Sequence, residues 1–162
     1  MPLKLDFKSG DKLVINGAVL ENIGTNAKIL IHNESAILRE KEILSIAETS
    51  TPASRVYFAL QCAYMFPHKK DEQIDLFKDF LKDFVTACPS IKPIAEEIEE
   101  LVAEDKIYKA LKHTQKLIAH QAEVLKSLET GIEEATEEDM DAEDVGGEDV
   151  AEDQEEDRAE AD

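Results

Sequence analysis

Four histidines and two cysteines are the side chains in this 162-residue sequence best suited to metal or covalent chemistry. His32 stands at a strand end, His68 in a loop, and His113 and His120 seven residues apart on one helical face. A metal there would need further ligands on that face, and Glu123 is the close carboxylate candidate, so surface histidines are the plainer reading. Cys62 and Cys88 each sit in an apolar helical pattern, where cysteine serves as a small core residue more readily than as half of a disulfide. No phosphate-cradling glycine loop, Cys-x-x-Cys pair or nucleophile elbow is present, and paired acids such as Glu96-Glu97 read as a solvated helix face. The expectation is a protein that is not an enzyme, with no metal and no cofactor.

Binding chemistry is better represented. "ILREKEIL", read as a strand, puts Arg39 and Lys41 on one side, and the first strand puts Lys4 and Lys8 on one face. If those strands pair, Lys4, Lys8, Lys12, Arg39 and Lys41 form a basic rim for phosphates, with Arg39 able to make a bidentate contact to phosphate or base. The competing reading is that strand edges carry lysine to prevent aggregation, and Asp6, Asp11, Glu40 and Glu42 are interleaved with these cations. Lys109, Lys112, Lys116 and His120 form a second basic stripe, on the last helix, which also reads as a solvated face. A third surface is the helix "TPASRVYFALQCAYM", where Tyr57, Phe58, Tyr64, Met65 and the following Phe66, with Arg55 and Gln61, offer an aromatic and thioether face to a protein partner.

The elements that must position these groups follow from periodicity. "LKLDF" alternates with the period of a half-buried strand, "KLVI" and "AVLE" flank the hairpin dipeptide Asn16-Gly17, "AKILIH" is a fourth strand and "SAILREKEIL" a fifth. Turns this short predict a meander or small barrel. From Thr51, a capping residue followed by Pro52, the period becomes helical. The first helix is apolar almost all round and stops at Pro67, so it must lie between the sheet and later helices. A second, amphipathic helix ends before Pro89, a third contains "IAEEIEELVAE", and a fourth carries "KIYKALKHTQKLIAHQAEVLKSLE". In the fourth, Ile107, Leu111, Thr114, Ile118, Gln121, Leu125 and Leu128 make a packing seam. "AED" at 103–105 is either a turn between the last two helices or part of one long helix.

The fold class is therefore α+β: a five-stranded antiparallel β unit over 1–48, a helical lobe of about four helices over 49–132, and an acidic tail over 133–162. The formal charge of -19 is concentrated in that tail, which holds 17 acidic residues and one basic, leaving residues 1–132 at -3. A segment so charged and so poor in large apolar residues is expected to be disordered, either as a solubilising appendage or as an RNA mimic competing for a basic face. No apolar run approaches the ~18 residues of a membrane span and no signal peptide is recognised, so a cytoplasmic protein without a membrane partner is expected.

"MPLKLDFKSGDKLVINGAVLEN", "LREKEIL", "TPASRVYFALQCAYM" and "KIYKALKHTQKLI", in that order and at these distances, resemble the FlbT family of flagellar regulators over about residues 1–130. The resemblance implies a post-transcriptional regulator that binds the 5′ untranslated leader of flagellin messenger RNA and promotes its decay, and a small FlaF-like protein partner. The alternative is a protein-binding adaptor or assembly factor acting through a FlaF-like partner or flagellin, touching RNA only indirectly. "LKLDFKSGD" and "LREKEI" are also similar to the first and last strands of the carbon storage regulator (CsrA) family, which would place RNA contacts on Leu3, Lys4, Leu5 and Arg39, although Asp6 departs from that pattern. Whether a second copy of the chain is also a partner stays open.

Overall fold

A computed structural model of the chain describes residues 1–142, with side chains described as far as 132. Five strands come first: β1 (Leu3–Phe7), β2 (Lys12–Ile15), β3 (Ala18–Glu21), β4 (Ala27–Ile31) and β5 (Ile37–Arg39). Four helices follow: α1 (Pro52–Met65), α2 (Lys70–Ala87), α3 (Lys92–Ala103) and α4 (Ile107–Ala142). The architecture is the α+β arrangement that the switch from alternating to helical periodicity predicts. Two compact units are distinguished, Met1–Glu123 and a second from Val124 onward. Helix α4 carries the backbone to Ala142, ten residues into the segment read as a disordered tail, and the rest of that tail lies outside the described residues.

The strands pair as neither a meander nor a barrel. β1 pairs antiparallel with β4, Leu5 opposite Ile29, and β2 stands between β3 and β5 in a separate three-stranded sheet. The Asn16-Gly17 turn behaves as its sequence predicts, with φ of 48° and 87°. A Cβ at 17 would also stand 2.9 Å from Phe66 Cε1, so the exposed Phe66 ring would have to move aside for a side chain there. The β1–β2 turn is pinned by Asn22, whose carbonyl accepts from Gly10 N–H at 2.7 Å and whose side-chain amide donates to the Phe7 carbonyl at 2.8 Å.

β5 is shorter than "SAILREKEIL" implies. After Arg39 the chain turns through a single 3₁₀ turn, Glu40–Glu42, because Glu42 is drawn inward. Its carboxylate accepts from Arg39 N–H at 2.8 Å and from Tyr108 Oη at 2.9 Å, and it is ion-paired with Lys112. A group with that many charge-assisted partners outweighs the ladder bonds that three further strand residues would add.

Helix α1 is surrounded in the way its composition demands. Thr51 Oγ1 accepts from Ser54 N–H, Pro52 occupies the first turn, and Ala53 N–H is satisfied by Gln121 Oε1 from α4 at 2.9 Å. Val56 and Leu60 are fully enclosed with Val14 and Leu38 from the sheet and Phe77, Leu81 and Leu111 from the other helices, so strands and helices share one core. The turn before α4 is real: Asp105 adopts φ 60° and Lys106 N–H closes on the Leu101 carbonyl, ending α3. Along α4 the buried line runs Ile107, Ala110, Leu111, Thr114 and Leu117. It drifts from the strict heptad seam as a straight helix of 3.6 residues per turn must, and Leu125 and Leu128 are exposed.

Candidate nucleic-acid interface

Lys8, Lys12, Arg39 and Lys41 converge on one surface cavity of about 410 Å³ floored by Leu5, Phe7 and Leu13. Arg39 arrives there because β5 pairs with β2 in the register that sets it opposite Leu13. Lys12 begins β2, and Lys8 is held on the β1–β2 turn, where its own N–H donates to Asp11 Oδ2 at 2.9 Å. Lys41 reaches the rim from the 3₁₀ turn rather than from a strand, so the expectation that it shares a strand face with Arg39 is corrected. β1 and β5 do not pair, yet the cavity brings their residues together.

Three carboxylates, Asp6, Asp11 and Glu40, share the rim, leaving four cations against three anions. Among the described residues none of the four cations lies within ion-pair distance of a carboxylate. Lys4 does not line this cavity. It stands on the outer face of β1 opposite Leu30, on the same face as the Asp6–Lys28 pair. Lys28, with Lys8 and Asp6, lines a small neighbouring cavity, and sequence reading missed it, since only the β1–β4 register brings it beside β1. Leu3 and Leu5, the β1 positions that the carbon storage regulator resemblance selects, share a further cavity with Arg39.

Three of the four members of the second basic stripe are engaged in contacts within the fold. Lys112 is committed to Glu42, Lys116 lies 3.9 Å from Glu97, and His120 shares a 3.0 Å hydrogen bond with Ser90. Burial by itself would push the Glu42 carboxyl up, but the Arg39 N–H, Lys112 and Tyr108 contacts outweigh it and hold the group below the usual glutamate value. Lys112 is correspondingly pushed up by its bond to Glu42.

The aromatic helix is largely inward. Tyr57, Gln61 and Met65, read from sequence as partner-binding, are buried and form part of the internal structure. Tyr57 Oη donates to the Glu42 carbonyl, and Gln61 both accepts from Leu44 N–H at 2.8 Å and donates to the Leu44 carbonyl at 2.9 Å, replacing a missing strand neighbour for that residue. Gln61→Ala leaves both Leu44 groups unpartnered and is expected to lower stability by about 1–3 kcal/mol. Urea unfolding measures this directly, and an unchanged midpoint would mean that the amide is not structural. Phe58 and Tyr64 are half-buried and Arg55 is exposed, so those three, with the exposed Phe66, remain at the surface.

Fold and site together define a small α+β protein whose β unit presents a cation-rimmed cavity; among the described residues no group of His, Cys, Asp and Glu is placed to hold a metal, and no helix is long and apolar enough to cross a membrane. The sequence model of one family, described as "Flagellar protein FlbT", matches residues 3–125. The chain belongs to the FlbT family. The "Probable flagellum biosynthesis repressor protein FlbT 1" of Bradyrhizobium diazoefficiens is 36% identical over 122 residues, covering 75% of this chain and 83% of that protein. The "Probable flagellum biosynthesis repressor protein FlbT" of Caulobacter sp. (strain K31) is 35% identical over 123 residues, 75% of this chain and 94% of its own. The "Flagellum biosynthesis repressor protein FlbT" of Caulobacter vibrioides is 32% identical over 134 residues, 82% and 95% respectively. No solved structure matches the chain.

Proposed function

We propose that this protein is a regulator of flagellum synthesis that acts after transcription, binding the 5′ untranslated leader of flagellin messenger RNA and promoting its decay. The relatives' description as flagellum biosynthesis repressors supports the regulatory part. The observation that supports RNA as the ligand is the convergence of Lys8, Lys12, Arg39 and Lys41 on one cavity that Leu5, Phe7 and Leu13 also line, with no carboxylate within ion-pair distance of the four among the described residues. Cations of this kind position a phosphate backbone, and the Arg39 fork can add a bidentate contact. Neutralising several phosphates releases counterions, so affinity falls linearly on a log-log plot against salt.

The test is a salt titration of the purified protein with a flagellin leader RNA beside a scrambled RNA of equal length. Leader-selective binding that weakens with salt is the expected result. No binding to either RNA at low salt would overturn it and move the function to the adaptor reading. One observation favours that second reading: Tyr64 and Tyr108, their rings 5.5 Å apart, line a cavity of about 470 Å³ with Pro67 and Ile107. That surface suits an apolar side chain of a FlaF-like protein, and a pull-down with such a partner would test it.

A further inference from the structure

Leu38 on β5, Val14 on β2 and Val19 on β3 stand directly opposite one another across the three-stranded sheet. Opposed residues of antiparallel strands share a face, so these three form one row. Leu38 and Val14 are core residues at 1% and 8% exposure, whereas Val19 is 71% exposed. The core face of the sheet therefore runs one strand past the core. All four residues of β3 are exposed, and Ile23 just beyond it is 94% exposed.

Among the described residues β3 is an edge strand, and its backbone groups without a partner there can be placed. Across a two-residue turn the closing pair, Ile15 and Ala18, exchanges its hydrogen bonds inward, so Val19 and Glu21 turn N–H and C=O toward the open edge. "AVLE" carries no proline or lysine, the residues that commonly protect an edge from pairing.

We propose that β3 is a dimer interface, pairing antiparallel with β3 of a second copy about a two-fold axis perpendicular to the sheet and passing beside Val19. Three registers satisfy both the symmetry and the outward hydrogen-bonding groups, and the side chains choose among them. Centring on Glu21 opposes two like charges, which destabilises a pair, and centring on Leu20 sets Val19 against a glutamate. Centring on Val19 sets valine against valine, Ala18 against Leu20, and Glu21 against the glycine of the hairpin turn. In that register the row reads Leu38, Val14, Val19 and then the same residues in reverse, an uninterrupted apolar line across a six-stranded sheet. No part of this argument uses the RNA reading, and either can fail without the other.

Sedimentation of the full chain at ~100 μM tests it, a range in which an association of ordinary strength is populated. The wild-type chain is expected to be a dimer. Val19→Lys, which restores a charged edge, is expected to weaken the dimer at least about 10-fold, with an unchanged circular dichroism spectrum because Val19 is exposed. A wild-type monomer at that concentration, or a Val19→Lys dimer as strong as wild type, would overturn the proposal. Should Val19→Lys disturb the spectrum, Val19→Cys decides: opposed residues of a hydrogen-bonded pair lie about 5.5 Å apart at Cα, within disulfide reach. Diamide should then link Val19→Cys into a covalent dimer and leave the wild type, with Cys62 and Cys88, unlinked; failure to link overturns the register.

Discussion

Arg39→Glu is expected to weaken binding to a flagellin leader RNA by roughly 100-fold while leaving the circular dichroism spectrum and melting temperature of the protein unchanged. Arg39 is exposed at the end of β5, and what it gives to Glu42 is its backbone N–H, not its side chain. Reversal turns four cations against three carboxylates into three against four, so the cavity changes sign. Losing one phosphate contact and adding a repulsive charge should cost roughly 100-fold in affinity at moderate salt and lower the salt slope by about one unit. Arg39→Lys keeps the charge but loses the planar fork, so the salt slope should survive while leader selectivity falls. Filter binding at several salt concentrations distinguishes these outcomes. Affinity within about 2-fold of wild type in a folded Arg39→Glu protein would remove the cavity from the RNA surface.

Glu42→Ala should have the largest effect on stability among exchanges that empty little volume. It strips a partner from Lys112, from Tyr108 Oη and from Arg39 N–H at once, groups contributed by α4 and the end of β5. Breaking such a network is expected to cost about 2–4 kcal/mol, tempered by the partial exposure of Lys112. In a chain of this size that is a fall in Tm of roughly 6–15 °C. The loss should also depend on pH in a defined direction. The folded state holds the Glu42 carboxyl below its unfolded value, so its stabilisation is fully present above the unfolded pKa. It disappears as pH falls through the lowered folded pKa. Wild type and Glu42→Ala should therefore differ most near neutrality and converge in acid, as thermal melts at a series of pH values will show. A difference independent of pH would mean that the carboxylate charge is not what stabilises the turn.

Much of the fold is legible from local signals. Alternation in "LKLDF", the Asn16-Gly17 dipeptide, Thr51-Pro52 and the prolines at 67 and 89 each act within a few residues, and each marks an element where it is found. Strand partnership is not local. β1 finds β4 across the whole β2–β3 hairpin, because Leu3, Leu5 and Phe7 match Ile31, Ile29 and Ala27 on one face. Nothing in the sequence of β1 alone excludes β5. The cavity shows the same division: its cations are legible as residue types, but Lys28 beside β1 and Lys4 away from the cavity depend on that register. The aromatic helix was legible as buried on all sides, and that property makes Tyr57, Gln61 and Met65 poor candidates for a partner surface. The polar atoms of Tyr57 and Gln61 are consumed by the backbone of Glu42 and Leu44, a segment without strand pairing whose demand for partners no periodicity reveals.

The N-terminus of α1 is completed by a residue far along the chain, since Ala53 N–H waits for Gln121 Oε1, 68 positions later. During synthesis at about 5–20 residues per second, that interval amounts to roughly 3–14 s. For that time the nascent β unit and the apolar α1 are outside the ribosome without α4, which supplies Ala110, Leu111 and Leu117 to their core. The chain must thus spend seconds as a partly assembled species whose most apolar helix has the cover of α2 but not yet that of α4. Its yield in the cell is set by how well that interval is protected from aggregation as well as by the stability of the finished fold.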